Sequence, residues 1–275
     1  FKTNIVTTSN KIQSNTPIKA PEKVSNLSEI PQPPNLKTNI LTLPLEDVWK
    51  LINPVMLYNR HLGYKGNFLK NLNSGEEKAL LLNKSVEEVK DIISKSNNFS
   101  AKVVYKFFNA QSDDNSIIIF DSGKQIEKFE FARQTSRDQL CLSDYLLPVN
   151  SDQKDYISMF VTTFGPDVRE LAEYYQNKGE FLKSHTILSL ALETAEASAE
   201  LIHKNIRTMW GIKDPDNISN IDIFKANYTG KRYSFGYPAC PMLEDQLKLW
   251  NLLNPDTNIG VNLTEEYMMD PEGSV

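Results

Sequence analysis

The segment Gly230–Pro241, with the sequence GKRYSFGYPACP, concentrates residue types that can bind a small charged ligand. Two glycines and two prolines within its twelve residues predict an irregular loop with exposed backbone N–H and C=O groups. Arg232 offers a planar guanidinium that can hold a carboxylate through two hydrogen bonds, and Tyr233 and Tyr237 provide flat faces for a cation or a ring. The same composition also fits a tight turn ahead of a helix, with Cys240 as a small buried residue.

A long helical pattern upstream carries the other candidate residues. Small side chains surround Glu193 and Glu196, namely Ala191, Thr194, Ala195, Ala197, Ser198 and Ala199. They would let a ligand approach a carboxylate, or let the helix pack closely against a sheet, which is the simpler interpretation; periodicity alone does not decide. Glu200 and His203 form an ExxH motif, which places two possible metal ligands on one helix face. A di-iron carboxylate site needs a second ExxH, which the sequence lacks, so we predict no metal site.

Other common catalytic motifs are absent from the sequence. The 11 glycines form neither GxGxxG nor GxxxxGK[ST], which argues against a dinucleotide fold and a P-loop. Neither GxSxG nor HExxH occurs. The only three histidines are His61, His185 and His203, so the sequence offers few candidates for a histidine-based metal site or general base.

The surrounding periodicity predicts an α+β fold. Alternating or short apolar runs indicate an antiparallel meander of strands at 102–110, 116–121, 124–131 and 156–163. Helical spacing predicts helices starting at Pro44, running from Ser85 to about 97, and covering 168–175, 181 to about 210, and 244–253. Strands followed by helices are typical of one α+β domain, which we assign to residues 35–275.

Residues 1–34 differ in composition from the rest. They hold five of the 14 prolines and, beyond Phe1, no aromatic residue. Such a stretch cannot bury enough apolar area to offset an ordering entropy of roughly 1–2 kcal/mol per residue. We therefore predict a flexible, disordered, Pro-rich linker at 1–34.

Charge and cysteine content narrow the partners and the compartment. The net charge is −5, with 30 basic and 35 acidic residues and no Lys/Arg-rich run, so we expect no nucleic-acid surface. No apolar run is long enough for a membrane span, so we expect no membrane partner. Two cysteines without CxxC spacing favour a reducing, cytoplasmic setting.

The loop and the helix together resemble one known family, the activation domain of cobalamin-dependent methionine synthase. The stretch RYSFGYPACP at 232–241 is similar to the family's RxxxGYPACP signature, and the helix at 182–203 is similar to the segment that precedes it there. Further similarity lies at 140–145 and 45–63, and the resemblance spans about 30–275. It implies a C-shaped α+β domain with a twisted antiparallel sheet.

The resemblance also implies a function. The domain would bind S-adenosylmethionine and supply its methyl group to cob(II)alamin held by the cobalamin-binding domain of the same enzyme, while flavodoxin or a flavoprotein reductase supplies an electron. This is reductive methylation, a reactivation step of a methyltransferase in methionine biosynthesis; the isolated chain would have no turnover of its own.

Site residues follow from the same resemblance. Arg232 would pair with the ligand carboxylate, and Glu196 would meet its ammonium or sulfonium. Ser234 and Gly236 would offer backbone groups to the adenosine, and Tyr237 would lie beside the ligand and face the corrin.

Two positions depart from the family pattern. An aspartate that contacts the ligand's amino group is matched here by Asn53, whose amide accepts a hydrogen bond without a charge. The chain also stops at Val275, before a strand that supplies another ligand-side tyrosine, so we expect a truncated C-terminal end. One alternative is a docking module, with or without nucleoside binding, that reactivates or tethers a separate corrinoid protein. The other is a degenerate copy kept for structure alone.

Overall fold

A computed structural model of the chain describes residues 29–96, 98–135, 139–165, 167–215 and 217–275. The predicted linker at 1–34 lies mostly outside these residues. Its last part contacts the domain, because the Trp210 Nε1–H donates to the Pro31 carbonyl at 2.8 Å. Within the described parts, no helix is long and apolar enough to cross a membrane.

The main sheet has five antiparallel strands, the four that the apolar patterns predict and one further strand near the start of the domain. The long strand β2 pairs with β1 and β3 along one edge and with β5 along the other, and β4 follows β3. The bounds are Asn39–Leu43 for β1, Ala101–Asp113 for β2, Ser116–Asp121 for β3, Lys124–Glu130 for β4 and Asp155–Phe164 for β5.

Helices surround this sheet. The α-helices are Leu45–Trp49 (α1), Phe68–Asn73 (α2), Glu77–Lys95 (α3), Asp167–Asn177 (α4), Phe181–Met209 (α5), Asn220–Phe224 (α6), Gln246–Leu253 (α7) and Pro255–Ile259 (α8). A π-helical segment spans Val55–His61, and 3₁₀ turns span Leu142–Tyr145 and Leu243–Asp245. The two-residue strands Asn262–Leu263 (β6) and Met269–Asp270 (β7) pair near the C-terminus.

The β2 strand is buried on both faces and divides the core in two. Val103 and Phe107 point into a cluster shared with α3 and α5. Val104 and Phe108 point to the other side, into a cluster that contains residues of α7 and α8. Because successive side chains of a strand face opposite ways, this single strand positions α5 on one face of the sheet and the C-terminal helices on the other.

The α+β class and the antiparallel sheet are therefore confirmed. The predicted helix start at Ser85 is wrong, since α3 begins at Glu77 and its first turn is capped by the Glu76 side chain, which accepts from the Ala79 N–H. Ser85 lies inside α3, where its hydroxyl contacts that of Thr186 on α5. The Ser85–Glu88 spacing resembles a capping box, yet the apolar face of α3 starts one to two turns earlier, with Ala79 and Leu82 buried.

Candidate functional site

The loop between α6 and α7 is anchored by two apolar residues. Phe235 stacks against Phe129 of β4 with ring centroids 5.9 Å apart, and the buried Cys240 Sγ–H donates to the Ser234 carbonyl at 2.9 Å. Burial, followed by the charge of Asp245, raises the pKa of the Cys240 thiol to about 11. The thiol thus acts as a neutral, packed donor that holds the loop closed.

The turn at Gly236 depends on glycine. Its φ is +87°, a left-handed conformation, and an added Cβ would lie 3.0 Å from the Leu243 Cδ2 atom. Its N–H donates to the Cys240 carbonyl at 2.9 Å. The Ser234 carbonyl and the Gly236 N–H are therefore engaged within the loop, and a ligand would meet the Ser234 N–H and the Gly236 carbonyl instead.

Arg232 reaches from this loop to two carboxylates on α5. Its Nη2 lies 2.5 Å from Glu200 Oε1 and 3.8 Å from Glu196 Oε2. Burial alone would lower the pKa of Arg232, but Glu200, hydrogen-bonded to it, leaves that pKa raised. The Glu200 side chain is 16% exposed, whereas Glu196 is 54% exposed, so Glu196 is the carboxylate open to a ligand.

A second acidic group lies one turn before Glu196. Glu193 is 4% exposed, and its Oε1 is 3.0 Å from Nε2 of His61 in the π-helical segment. Burial, with a smaller contribution from Glu196, raises the pKa of Glu193 to about 7, while burial and His185 lower the pKa of His61. Both shifts favour the neutral forms of the two side chains, which lie within hydrogen-bond distance of each other.

Asn53 lies two residues before the same π-helical segment. Its Oδ1 accepts from the N–H of Val55, the first residue of the segment, at 3.0 Å. The contact between His61 and Glu193 brings this segment against α5. Asn53 therefore leads into the element that contacts α5, with its side-chain oxygen engaged by the backbone.

The layer beneath Arg232 is polar and buried. Arg207 pairs with Asp214, and its guanidinium lies 4.1 Å from the ring centroid of Tyr228. His203 packs edge-on against the same ring, and burial together with neighbouring Arg207 lowers the pKa of His203 to about 3. Tyr228 also interacts electrostatically with Arg232.

These contacts give both residues of the ExxH motif a partner within the protein. Glu200 is engaged by Arg232, and the unprotonated His203 faces Tyr228. Across the parts of the chain that the structure describes, no group of three histidine, cysteine or acidic side chains could hold a metal. The small residues beside the acids are buried, and the Thr162 hydroxyl of β5 donates to the Ala195 carbonyl, so close packing accounts for them.

The two tyrosines of the loop lie on the surface. Tyr237 is 65% exposed, and Tyr233 lies 6.3 Å, centroid to centroid, from the exposed Tyr145. The loop thus combines a held cation at Arg232, an open carboxylate at Glu196 and a projecting ring at Tyr237. These three groups fit a ligand that carries a carboxylate, a positive charge and a flat or ring-shaped surface.

The chain matches a known protein family over most of its length. The family described as "Vitamin B12 dependent methionine synthase, activation domain" matches residues 44–275. The chain belongs to this family. The matched residues include the loop and the helix that meet at Arg232 and Glu200.

Relatives of this activation-domain chain are named methionine synthases. Those of Mycobacterium leprae (strain TN) and Mycobacterium tuberculosis (strain ATCC 25618 / H37Rv) are 33% and 31% identical over 194 and 190 residues, in each case 63% of this chain. The matched region spans 16% of either relative's length.

A solved structure of the MetH reactivation domain bound to AdoHcy superposes with a TM-score of 0.82 at 26% identity. The match covers 90% of this chain and 78% of that one.

Two contacts of the site were not predicted from the sequence. The spacing of Glu196 and Glu200 by four residues and the lack of an acid in Gly230–Pro241 are signals that Arg232 takes its partner from α5. The His61–Glu193 pair joins residues 132 positions apart, and no local pattern indicates it.

Proposed function

We propose that this activation domain binds S-adenosylmethionine between the Arg232 loop and α5, and that it supplies the methyl group for reductive methylation of cob(II)alamin in a methionine synthase. The observation that carries the proposal is the position of Arg232 between Glu200, which pairs with it, and Glu196, which is exposed to solvent. The related reactivation domain bound to AdoHcy supports the same ligand class.

Each predicted residue has a role in this proposal. The Arg232 guanidinium binds the ligand carboxylate, a charge-assisted contact of about 1.5–3 kcal/mol. Glu196 faces the ammonium or sulfonium, and Asn53 contributes an uncharged oxygen from the facing segment. Ser234 and Gly236 present backbone groups to the adenosine.

Cobalamin would be held by another domain of the same enzyme. Tyr237 projects into solvent beside the loop, which suits a ring that lies against the corrin. When bound there, the corrin would supply the cobalt that receives the methyl group and one electron, and AdoHcy would be the product released from S-adenosylmethionine. The residues of this chain bind and orient the methyl donor, and we propose no chemical step for them beyond that.

Flavodoxin or a flavoprotein reductase is proposed as the electron donor. Flavodoxins are acidic, and residues 35–275 carry a formal charge of −7, so docking would require a local basic patch. Arg207 cannot belong to such a patch because it is buried against Asp214. Lys225 and Lys231 are exposed, and slower, less salt-dependent activation of the Lys225→Glu/Lys231→Glu variant would support docking there, whereas unchanged kinetics would contradict it.

We also propose a cytoplasmic, reducing setting. Cys141 and Cys240 are both buried free thiols, and each donates a hydrogen bond to a backbone carbonyl. The protected thiol form is the one that the loop around Cys240 requires.

Isothermal titration with S-adenosylmethionine tests the ligand. The Arg232→Ala variant should bind about 10- to 100-fold more weakly than the wild type, since it loses a charge-assisted contact. Arg169→Ala is the matched control, because Arg169 is exposed on α4 and pairs with Asp270. Equal affinity of Arg232→Ala and wild type, or no binding by a chain extended past Val275, would contradict the proposal and favour a docking module that does not bind the nucleoside.

A further inference from the structure

We propose that Glu200 is a positioning residue that holds the Arg232 guanidinium in the orientation needed to recognise a ligand carboxylate. It would thereby set the preference of the site for S-adenosylmethionine over analogues without that carboxylate. The inference rests on the proposed function, because it concerns how the same site selects its ligand.

Arg232 depends on α5 for its orientation. The loop Gly230–Pro241 contains no acidic residue that could pair with the guanidinium. Glu200 meets Nη2 at 2.5 Å, and both side chains are largely shielded from solvent, at 20% and 16% exposure. A charge-assisted contact in such surroundings is shorter and stronger than one in water.

The surroundings of the same guanidinium are packed as well. Arg232 interacts electrostatically with Tyr228, which is itself packed against Arg207 and His203. Glu200 thus holds Arg232 from the protein side, beside a packed aromatic ring. A guanidinium has five N–H donors, and the contacts with Glu200 and Glu196 both use Nη2, which leaves other donors for a ligand.

Charge alone and positioning predict opposite effects of removing Glu200. If Glu200 acted only through its negative charge, it would repel a ligand carboxylate, and its neutralisation would strengthen S-adenosylmethionine binding. If it positions Arg232, its neutralisation frees a long, flexible side chain and weakens carboxylate recognition. The sign of the change therefore identifies the role.

The experiment compares two ligands on one set of variants of the full chain. S-adenosylmethionine and decarboxylated S-adenosylmethionine differ only in the carboxylate, so the ratio of their Kd values isolates its recognition. We expect Glu200→Gln to reduce the preference for S-adenosylmethionine on the order of tenfold. Binding of the decarboxylated ligand should stay within about twofold of wild type, which also shows that the variant folds.

Two further variants complete the test. Glu200→Asp keeps the charge but shortens the side chain, so we expect a preference between those of wild type and Glu200→Gln. Glu173→Gln, at an exposed position of α4, is the control and should leave the preference unchanged.

An unchanged or increased preference in Glu200→Gln would overturn the inference. If Arg232→Ala lowers the preference while Glu200→Gln does not, only the positioning role fails. If Arg232→Ala also leaves it unchanged, the proposed ligand site itself is wrong.

Discussion

Glu193 is an acidic side chain whose burial has a measurable consequence. Its pKa is raised to about 7 in the folded chain from an ordinary value of 4.5, so between these pH values the folded state binds more protons than the unfolded state. The stabilising contribution of the protonated carboxyl is present below about pH 4.5 and is lost as the pH rises through 7.

We predict that Glu193→Gln becomes more stable relative to the wild type as the pH rises from 4.5 to 8. The glutamine keeps a polar side chain beside His61 and cannot ionise. The difference in free energy of unfolding should change by up to about 3 kcal/mol, the size of a shift of about 2.5 pKa units. Urea unfolding at a series of pH values measures it.

The lowered pKa of His61 acts in the opposite direction on the wild type. It makes the folded state gain stability as the pH rises toward 6.5. His61 is present in both proteins, so the comparison isolates Glu193. A difference in stability that does not vary with pH would contradict burial as the cause of the Glu193 shift.

At the scale of the element, α5 combines packing and recognition on different faces. Ala195, Ala197 and Ala199 are buried, while Glu196 on the same helix is open to solvent. The small residues let α5 lie close to β5, and this places Glu196 and Glu200 within reach of the loop that carries Arg232. The small side chains therefore serve the site through packing.

We predict that Ala199→Leu destabilises the chain by about 1–3 kcal/mol, because an enlarged side chain at a fully buried position forces the helix away from its neighbours. Chemical denaturation measures the loss. Glu173→Leu on the exposed side of α4 is the control and should change stability by less than about 0.5 kcal/mol. A variant of Ala199 with wild-type stability but weakened S-adenosylmethionine binding would instead show that this small residue serves ligand approach.

At the scale of the whole molecule, the segment before the domain is partly attached to it. Trp210 donates to the Pro31 carbonyl, and the Tyr156 hydroxyl donates to the Gln32 side chain at 2.5 Å. Trp210 also packs edge-on against Phe107 of β2, with ring centroids 5.2 Å apart. The predicted linker thus ends on a partly buried residue that packs against the cluster shared by α3 and α5.

We predict that a chain starting at residue 35 is less stable than a chain starting at residue 29. The loss should be about 1–2 kcal/mol, since two hydrogen bonds are removed and the Trp210 ring is more exposed. Thermal or urea unfolding of the two truncated chains measures it, with the untruncated chain as reference. Equal stability would mean that residues 29–34 do not contribute to the domain.

Local patterns in the sequence determined much of the fold. The alternating or short apolar runs along 102–110 and 156–163 and the helical period from 181 to about 210 predicted β2, β5 and α5, since each reflects which side chains must be buried. The start of α3 and the presence of β1 were not predicted. β1 is largely exposed and pairs only with β2, so its residues carry little periodic signal.

Candidate site residues could be named from the sequence, but their partners could not. Arg232, Glu196 and the signature loop are contiguous patterns that a resemblance can recognise. The pairing of Arg232 with Glu200, the neutral contact of Glu193 with His61 and the burial of Arg207 against Asp214 became visible only in the folded chain. Charge, hydrogen bonding and burial at these groups depend on which elements meet, and residues far apart in sequence meet only when the sheet and α5 bring them together.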